Sequence, residues 1–309
     1  MKAYSIFDDF ECSAIQTLVD SGVDLVVHPS GIPRPTDEQM KIILEEYDCV
    51  IIGTSQKITQ KMFDNITSPR IIATASVGTD HINIPNEKKT MVTVINTPKA
   101  NARSVAEYTI AMALSCCKRL GEGNDLYRRG KSNKELYQKP EDLYGKTIGV
   151  IGAGYISATI MEYAASLGMK VIFWTKNPNK HRDLEKKGFC YVDLQELIAT
   201  SDVLSVNLPN TVQTKSIINK SIVDSMKNDC IFISVSRLDV VDMDALLEKA
   251  VNNRSFYVCV DIDVDSSVVN KINNSPNVFV TPHIAGGTIE TRKRMFRELA
   301  NEITKRCKK

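Results

Sequence analysis

The 309-residue chain lacks any apolar run approaching the roughly 18 residues of a membrane-spanning helix, so no membrane partner is expected. Its start, MKAYSIFDDFECSAIQ, puts acids where a secretory leader needs an apolar stretch, and the expected location is cytoplasmic. Charge of one sign is missing too: 39 Lys and Arg stand against 37 Asp and Glu. A net charge of +2 supplies no basic field to gather phosphate backbones, so nucleic acid is not expected as a partner. The eight cysteines (12, 49, 116, 117, 190, 230, 259 and 307) show neither CxxC nor His-linked metal spacing. They read as reduced thiols, mostly small core hydrophobes, and no metal site is expected. No repeat or low-complexity tract occurs. Histidine is scarce, with only four in the chain, so few side chains titrate near neutral pH.

What is present is alternation. The β-branched runs DLVVH, CVIIGT, RIIATAS, VTVINT, TIGVIG, KVIFW, VLSVNL, CIFISVS, FYVCVDI and VFVTP are separated by amphipathic helical stretches. Such a pattern implies βαβ units and buried parallel sheets, an α/β fold with two Rossmann-like domains. Four of the runs precede residue 98, enough for a smaller sheet of their own. The final helical stretch, IETRKRMFRELANEITKRCKK, is expected to return to that sheet. The domains are therefore read as 1–98 plus 285–309, and 99–284. The longest polar interruption, residues 121–146, reads as an inter-domain connection or a dimer arm, because it has few apolar anchors.

Strand TIGVI, loop GAGYIS, helical ATIMEYAASLG and strand KVIFW give the setting in which a G-x-G-x-x-G pattern has meaning. Gly152 permits the tight turn, and Gly154 lets the backbone approach a pyrophosphate at the helix N-terminus. The third position is Ser157, tolerated if the helix shifts slightly or the hydroxyl bonds a nearby carbonyl. At the end of KVIFW stand Thr175, Lys176 and Asn177, then Lys180, His181 and Arg182, where NAD-binding sites place a carboxylate for the ribose hydroxyls. With no acid to repel a 2′-phosphate, NADP is favoured over NAD.

Beyond this loop, ATASVGTDHINI (73–84), NTPKANARSVAEYTIAMAL (96–114), GKTIGVIGAGYI (145–156), SDVLSVNLPNTVQTKSII (201–218), CIFISVSRLDVVDMDALLEKA (230–250), YVCVDI (257–262) and VTPHIAGGTIETR (280–292) occur in order. Together they resemble the D-isomer-specific 2-hydroxyacid dehydrogenases. The resemblance implies an active site in the cleft between two domains, a homodimer, and hydride exchange between NAD(P) and a small 2-oxo acid or D-2-hydroxy acid. It implies that Arg237 grips the substrate carboxylate and carbonyl, as a planar fork of donors suits. It makes His283 the general acid and base, a task fitted to imidazole. Backbone N–H groups of Val77 and Gly78 are implied to meet the substrate carboxylate. Tyr155, Ile156, Pro209, Thr214 and Val235 are implied to line the cofactor, and Asp261 to face its nicotinamide carboxamide. His28, His81 and His181 lack such a setting and read as structural or solvated.

The sequence also departs from the family. The glutamate that usually holds the catalytic imidazole is Ser266, with Asp265 beside it and Asp263 further back. Asp265 is taken as the replacement. Leu238 follows the arginine in place of glycine, and TPGxN reads TPKAN, with Lys99. A second reading therefore stays open: a nucleotide-binding sensor or scaffold that kept the fold and lost turnover.

Overall fold

A computed structural model describes residues 1–132, 134, 136–137, 139–263, 266–272 and 275–307. The chain forms two compact units, Met1–Asn101 with Thr288–Lys309, and Ala102–Gly287. In the first, strands β1 (Lys2–Ser5), β2 (Asp24–Val27), β3 (Cys49–Ile52), β4 (Arg70–Thr74) and β5 (Val92–Ile95) form one sheet in the order β2-β1-β3-β4-β5. Every pairing is parallel. The strand CVII is buried at all four positions, as a strand covered on both faces must be. β1 was not among the expected strands, yet it pairs with both β2 and β3.

The last helix, Ile289–Cys307, belongs to this first unit. Its buried Phe296, Leu299, Ala300 and Ile303 recur at helical spacing and form one stripe in the core with Phe7 and Phe10. The rings of Phe10 and Phe296 lie 4.4 Å apart, so the two chain ends are stitched by aromatic packing.

The second unit holds β6 (Thr147–Ile151), β7 (Lys170–Trp174), β8 (Cys190–Tyr191), β9 (Val203–Val206), β10 (Ile231–Ser234), β11 (Tyr257–Ile262) and β12 (Val278–Pro282). They form a parallel sheet in the order β12-β11-β10-β9-β6-β7-β8. The order reverses direction between β6 and β9, which opens the crevice where doubly wound sheets hold dinucleotides. Because all strands run one way, the loops after β6, β7, β9, β10, β11 and β12 emerge at one edge.

The polar stretch 121–146 is not a connection between units. It lies inside the second, begins in the helix Leu120–Arg128, and follows the helix Ala102–Cys117, nine of whose residues are buried. The crossing lies earlier, after Asn101. All eight cysteines are free, and Cys49, Cys116, Cys117, Cys230 and Cys259 are buried. No helix among the described residues is long and apolar enough to cross a membrane.

Candidate active site

At the end of β6 the chain turns through Gly152, whose φ is 110°. A Cβ there would meet the carbonyl oxygen of Asn207 at 2.7 Å, so both dihedral and space demand glycine. Gly154 caps the helix Tyr155–Ser166, and a Cβ at that position would meet nothing within 4 Å. The helix N-terminus thus faces open space, with half-exposed Tyr155 behind it. β7 ends in Thr175 and Lys176, and the Lys176 ammonium donates to the neutral side chain of Gln213. After β9, the Thr214 hydroxyl donates to the Pro209 carbonyl at 2.5 Å and accepts from the Thr211 N–H at 2.9 Å. That turn folds Thr214 back onto Pro209.

The loop after β10 is tied to its neighbour by buried Ser236. Its hydroxyl donates to the Val206 carbonyl at 2.9 Å and accepts from the Leu208 N–H at 3.0 Å. Val235 donates to the same Val206 carbonyl at 3.4 Å. Arg237 follows in extended conformation, half-buried, and among the described residues its guanidinium meets no hydrogen-bond or ion-pair partner. A guanidinium is a planar fork of donors, suited to a planar anion.

The loop after β12 carries His283 at a φ of 54°, a conformation costly for a residue with a side chain. Asp261, at the end of β11 and only 3% exposed, holds that loop in place. Its oxygens accept from the Ile284 and Ala285 N–H groups, both at 2.8 Å, and from the Thr281 hydroxyl at 2.5 Å. Since Thr281 donates its one hydrogen to Asp261, the Tyr108 hydroxyl 2.7 Å away must donate to Thr281. Burial pushes the Tyr108 hydroxyl up to about 12, so it keeps the proton that this chain needs. The His283 Nδ1 lies 2.9 Å from Asp263 Oδ1, both side chains facing solvent. Asp265 lies outside the described residues.

Gly152, Gly154, Tyr155, Ile156, Thr175, Lys176, Pro209, Thr214, Val235, Arg237, Asp261 and His283 thus share the carboxyl edge of one sheet. Val77 and Gly78 follow β4 in the other unit. Their carbonyls are held, by Asn96 Nδ2 at 2.6 Å and by the Ser76 hydroxyl at 2.7 Å. Among the described residues their N–H groups meet no acceptor. Beneath them Thr74 Oγ1 lies 2.8 Å from Ser76 Oγ and 3.0 Å from His81 Nε2. Burial lowers the pKa of His81, which favours the neutral ring in this network.

Residues 110–285 match the model of the D-isomer specific 2-hydroxyacid dehydrogenase NAD binding domain. The chain belongs to the D-isomer-specific 2-hydroxyacid dehydrogenase family. The hydroxypyruvate reductase of Thermotoga maritima is 33% identical over 274 residues, 87% of each chain. The structure of D-lactate dehydrogenase from Aquifex aeolicus with NAD and lactic acid superposes with a TM-score of 0.78 at 26% identity, covering 100% of this chain and 96% of that one. An acyclic imino acid reductase in complex with NADPH and D-Arg gives 0.82 at 26% identity, covering 98% and 96%.

Against that family pattern, three departures acquire a physical description. Ser157 is fully buried and its hydroxyl has no partner among the described residues, so no nearby carbonyl receives it. Leu238 packs its side chain against the core of the second unit. The imidazole of this family member meets Asp263 rather than a residue at position 266. Tyr108, Thr281 and Ser236 escape sequence reasoning, and Asp263 stands there only as an acid further back than Asp265. Only Asp263 left a signal, as one of several acids in DIDVDSS.

Proposed function

We propose that this chain interconverts a small 2-oxo acid and its D-2-hydroxy acid with a nicotinamide dinucleotide, NADPH favoured over NADH. The observation that carries the reading is the unpartnered Arg237 guanidinium, which shares one sheet edge with the glycine loop and with His283. The loop fits the cofactor: the open space at Gly154 accepts a pyrophosphate at the helix N-terminus, beside Tyr155 and Ile156. Pro209, Thr214, Val235 and Asp261 line the rest of its length. When bound, the nicotinamide supplies or accepts the hydride.

The chain's own groups do the remainder. Arg237 holds the carboxylate and carbonyl of the substrate in one plane, which fixes the face presented for reduction. The free N–H groups of Val77 and Gly78 donate to a substrate carboxylate. His283, turned by Asp263 at its Nδ1, delivers a proton from Nε2 to the carbonyl oxygen and recovers it in the reverse direction. Asp263 is the carboxylate that meets His283 among the described residues. The cofactor preference rests on Thr175 and Lys176: no carboxylate closes β7, and the Lys176 charge is left uncancelled by its neutral partner Gln213.

The protein acts in the cytoplasm as a homodimer, with exposed Leu120, Tyr127 and Tyr144 as the apolar surface of the second unit's arm. Light scattering that gives the mass of one chain would refute that assignment. The function itself is tested by the fall in absorbance of NADPH and NADH with glyoxylate, pyruvate and hydroxypyruvate. Turnover of one or more of these, faster with NADPH, is expected. Absence of turnover with every 2-oxo acid tried would leave the sensor reading in its place.

A further inference from the structure

We propose that the crevice at the carboxyl ends of β1 and β3 is an anion subsite centred on Arg34, which takes the distal acidic group of a 2-oxo acid bearing two acidic ends. The first sheet has the order β2-β1-β3-β4-β5, in which the chain reverses direction between β1 and β3. Open parallel sheets receive ligands at that point, outside the carboxyl ends of the strands. Phe7 follows β1, and Ser55 follows β3. The Arg34 guanidinium rests on both: it donates to the Ser55 hydroxyl, and its carbon lies 5.8 Å from the centre of the Phe7 ring. Gly53 admits that ring, since a Cβ there would meet it at 3.0 Å.

Three features make this more than an exposed arginine. The charge has no direct counter-ion, for among the described residues Arg34 meets no carboxylate: Asp9 pairs with Arg292, and Asp8 accepts from the Ser30 hydroxyl at 3.1 Å. The cation is also preorganised. Arg34 stands between Pro33 and Pro35, whose φ angles are fixed, and the loop before it is pinned by buried His28. His28 Nε2 lies 3.3 and 3.2 Å from the carbonyls of Ile32 and Pro33, and its Nδ1 lies 2.7 Å from the Tyr4 hydroxyl. Two carbonyl acceptors require the hydrogen on Nε2, so Tyr4 donates to Nδ1 and every polar atom of the ring is engaged.

The third feature is the neighbouring carboxylate site. Ile52 pairs with Thr74 on adjacent parallel strands, so the loops that carry Ser55 and Val77 leave the same edge of the sheet side by side. A pyruvate-sized acid has one anionic end and leaves Arg34 without an anionic partner. A four- or five-carbon diacid, or a three-carbon acid with a terminal phosphate, offers a second anionic end, and a guanidinium fork grips either group. The inference rests on the reading of Val77 and Gly78 as the carboxylate site.

The test compares the wild type with Arg34→Met, which keeps an apolar stem on the Phe7 ring and deletes the fork. For each protein, kcat/KM is measured with 2-oxoglutarate and oxaloacetate, with 3-phosphohydroxypyruvate, and with 2-oxobutyrate as the singly charged reference. The wild type is expected to prefer at least one doubly acidic substrate over 2-oxobutyrate by tenfold or more, and Arg34→Met to bring that ratio close to one. The responding arm tells a terminal carboxylate from a phosphate. A wild-type preference for 2-oxobutyrate, or a ratio unchanged by the substitution, overturns the proposal. If neither protein reduces any 2-oxo acid, the functional reading fails by itself, and calorimetric titration with succinate and with inorganic phosphate decides the subsite. Binding by the wild type that Arg34→Met loses supports it, and equal or absent binding in both overturns it.

Discussion

Asp261 and Asp263 lie two residues apart, and the structure assigns them opposite kinds of importance. Asp261 is 3% exposed and accepts three hydrogen bonds, two from the loop that carries His283 and one from Thr281 of β12. A hydrogen bond to a buried charged group contributes about 1.5–3 kcal/mol, so Asp261→Ala leaves three donors unmatched, at a net cost of about 3–5 kcal/mol after water reaches some of them. Asp261→Asn keeps one oxygen but turns an amide NH₂ toward a backbone N–H, and should cost about 2 kcal/mol. Asp263, with 83% of its side chain exposed, contributes less than about 1 kcal/mol through its pairing with His283. The single tryptophan, Trp174, sits in β7 of the second unit, and its fluorescence during urea unfolding reports on that unit. At a slope of about 2 kcal/mol per molar urea, Asp261→Asn should lower the midpoint by about 1 M and Asp263→Ala by under about 0.5 M. Kinetics should show a converse pattern for the outer residue: Asp263→Ala loses about fivefold in kcat, the equivalent of about 1 kcal/mol of imidazole orientation, with its stability nearly intact. Equal midpoints for the two variants would refute the roles assigned to both carboxylates.

Thr175→Asp should move the ratio of kcat/KM toward NADH by about tenfold, about 1.4 kcal/mol, because a carboxylate at the end of β7 accepts ribose hydroxyls and repels a 2′-phosphate. A ratio that stays put would place the choice of cofactor elsewhere. Arg237→Lys keeps the charge but loses the fork, and kcat/KM should fall by about 100-fold, about 2.7 kcal/mol, in steady-state assays; wild-type rates would move the substrate anchor to another residue. Ser157→Ala removes a buried hydroxyl without a partner, so the thermal midpoint should rise, by an amount matching about 1 kcal/mol. A lower midpoint would mean that the hydroxyl has a partner after all.

Legibility in the sequence followed backbone demand. Gly152 was readable because a φ of 110° and a carbonyl at 2.7 Å leave glycine alone at that turn. The stripe of Phe296, Leu299, Ala300 and Ile303 was readable because a helix buries one face at fixed spacing. β1 was not, since KAYS is four residues of mixed polarity whose strand character comes from neighbours on both sides. The segment 121–146 looked like a connection because it is polar, but polarity reports exposure and says nothing of which unit a segment joins. At the site, Arg237 and His283 came from motif resemblance, whereas the Tyr108, Thr281 and Asp261 chain joins residues 173 positions apart and exists only after folding. Asp263 is one of three nearby acids, and a loop beyond a strand end has no periodicity from which to deduce which one meets His283.

Reduction of a 2-oxo acid on one face alone would fix the handedness of the product. The chain is incubated with NADPH and the 2-oxo acid it turns over fastest, and the 2-hydroxy acid formed is resolved by chiral chromatography. The D-isomer alone is expected, in amounts equal to the NADPH consumed. The L-isomer, a racemate, or NADPH loss without a hydroxy acid would contradict the proposed function.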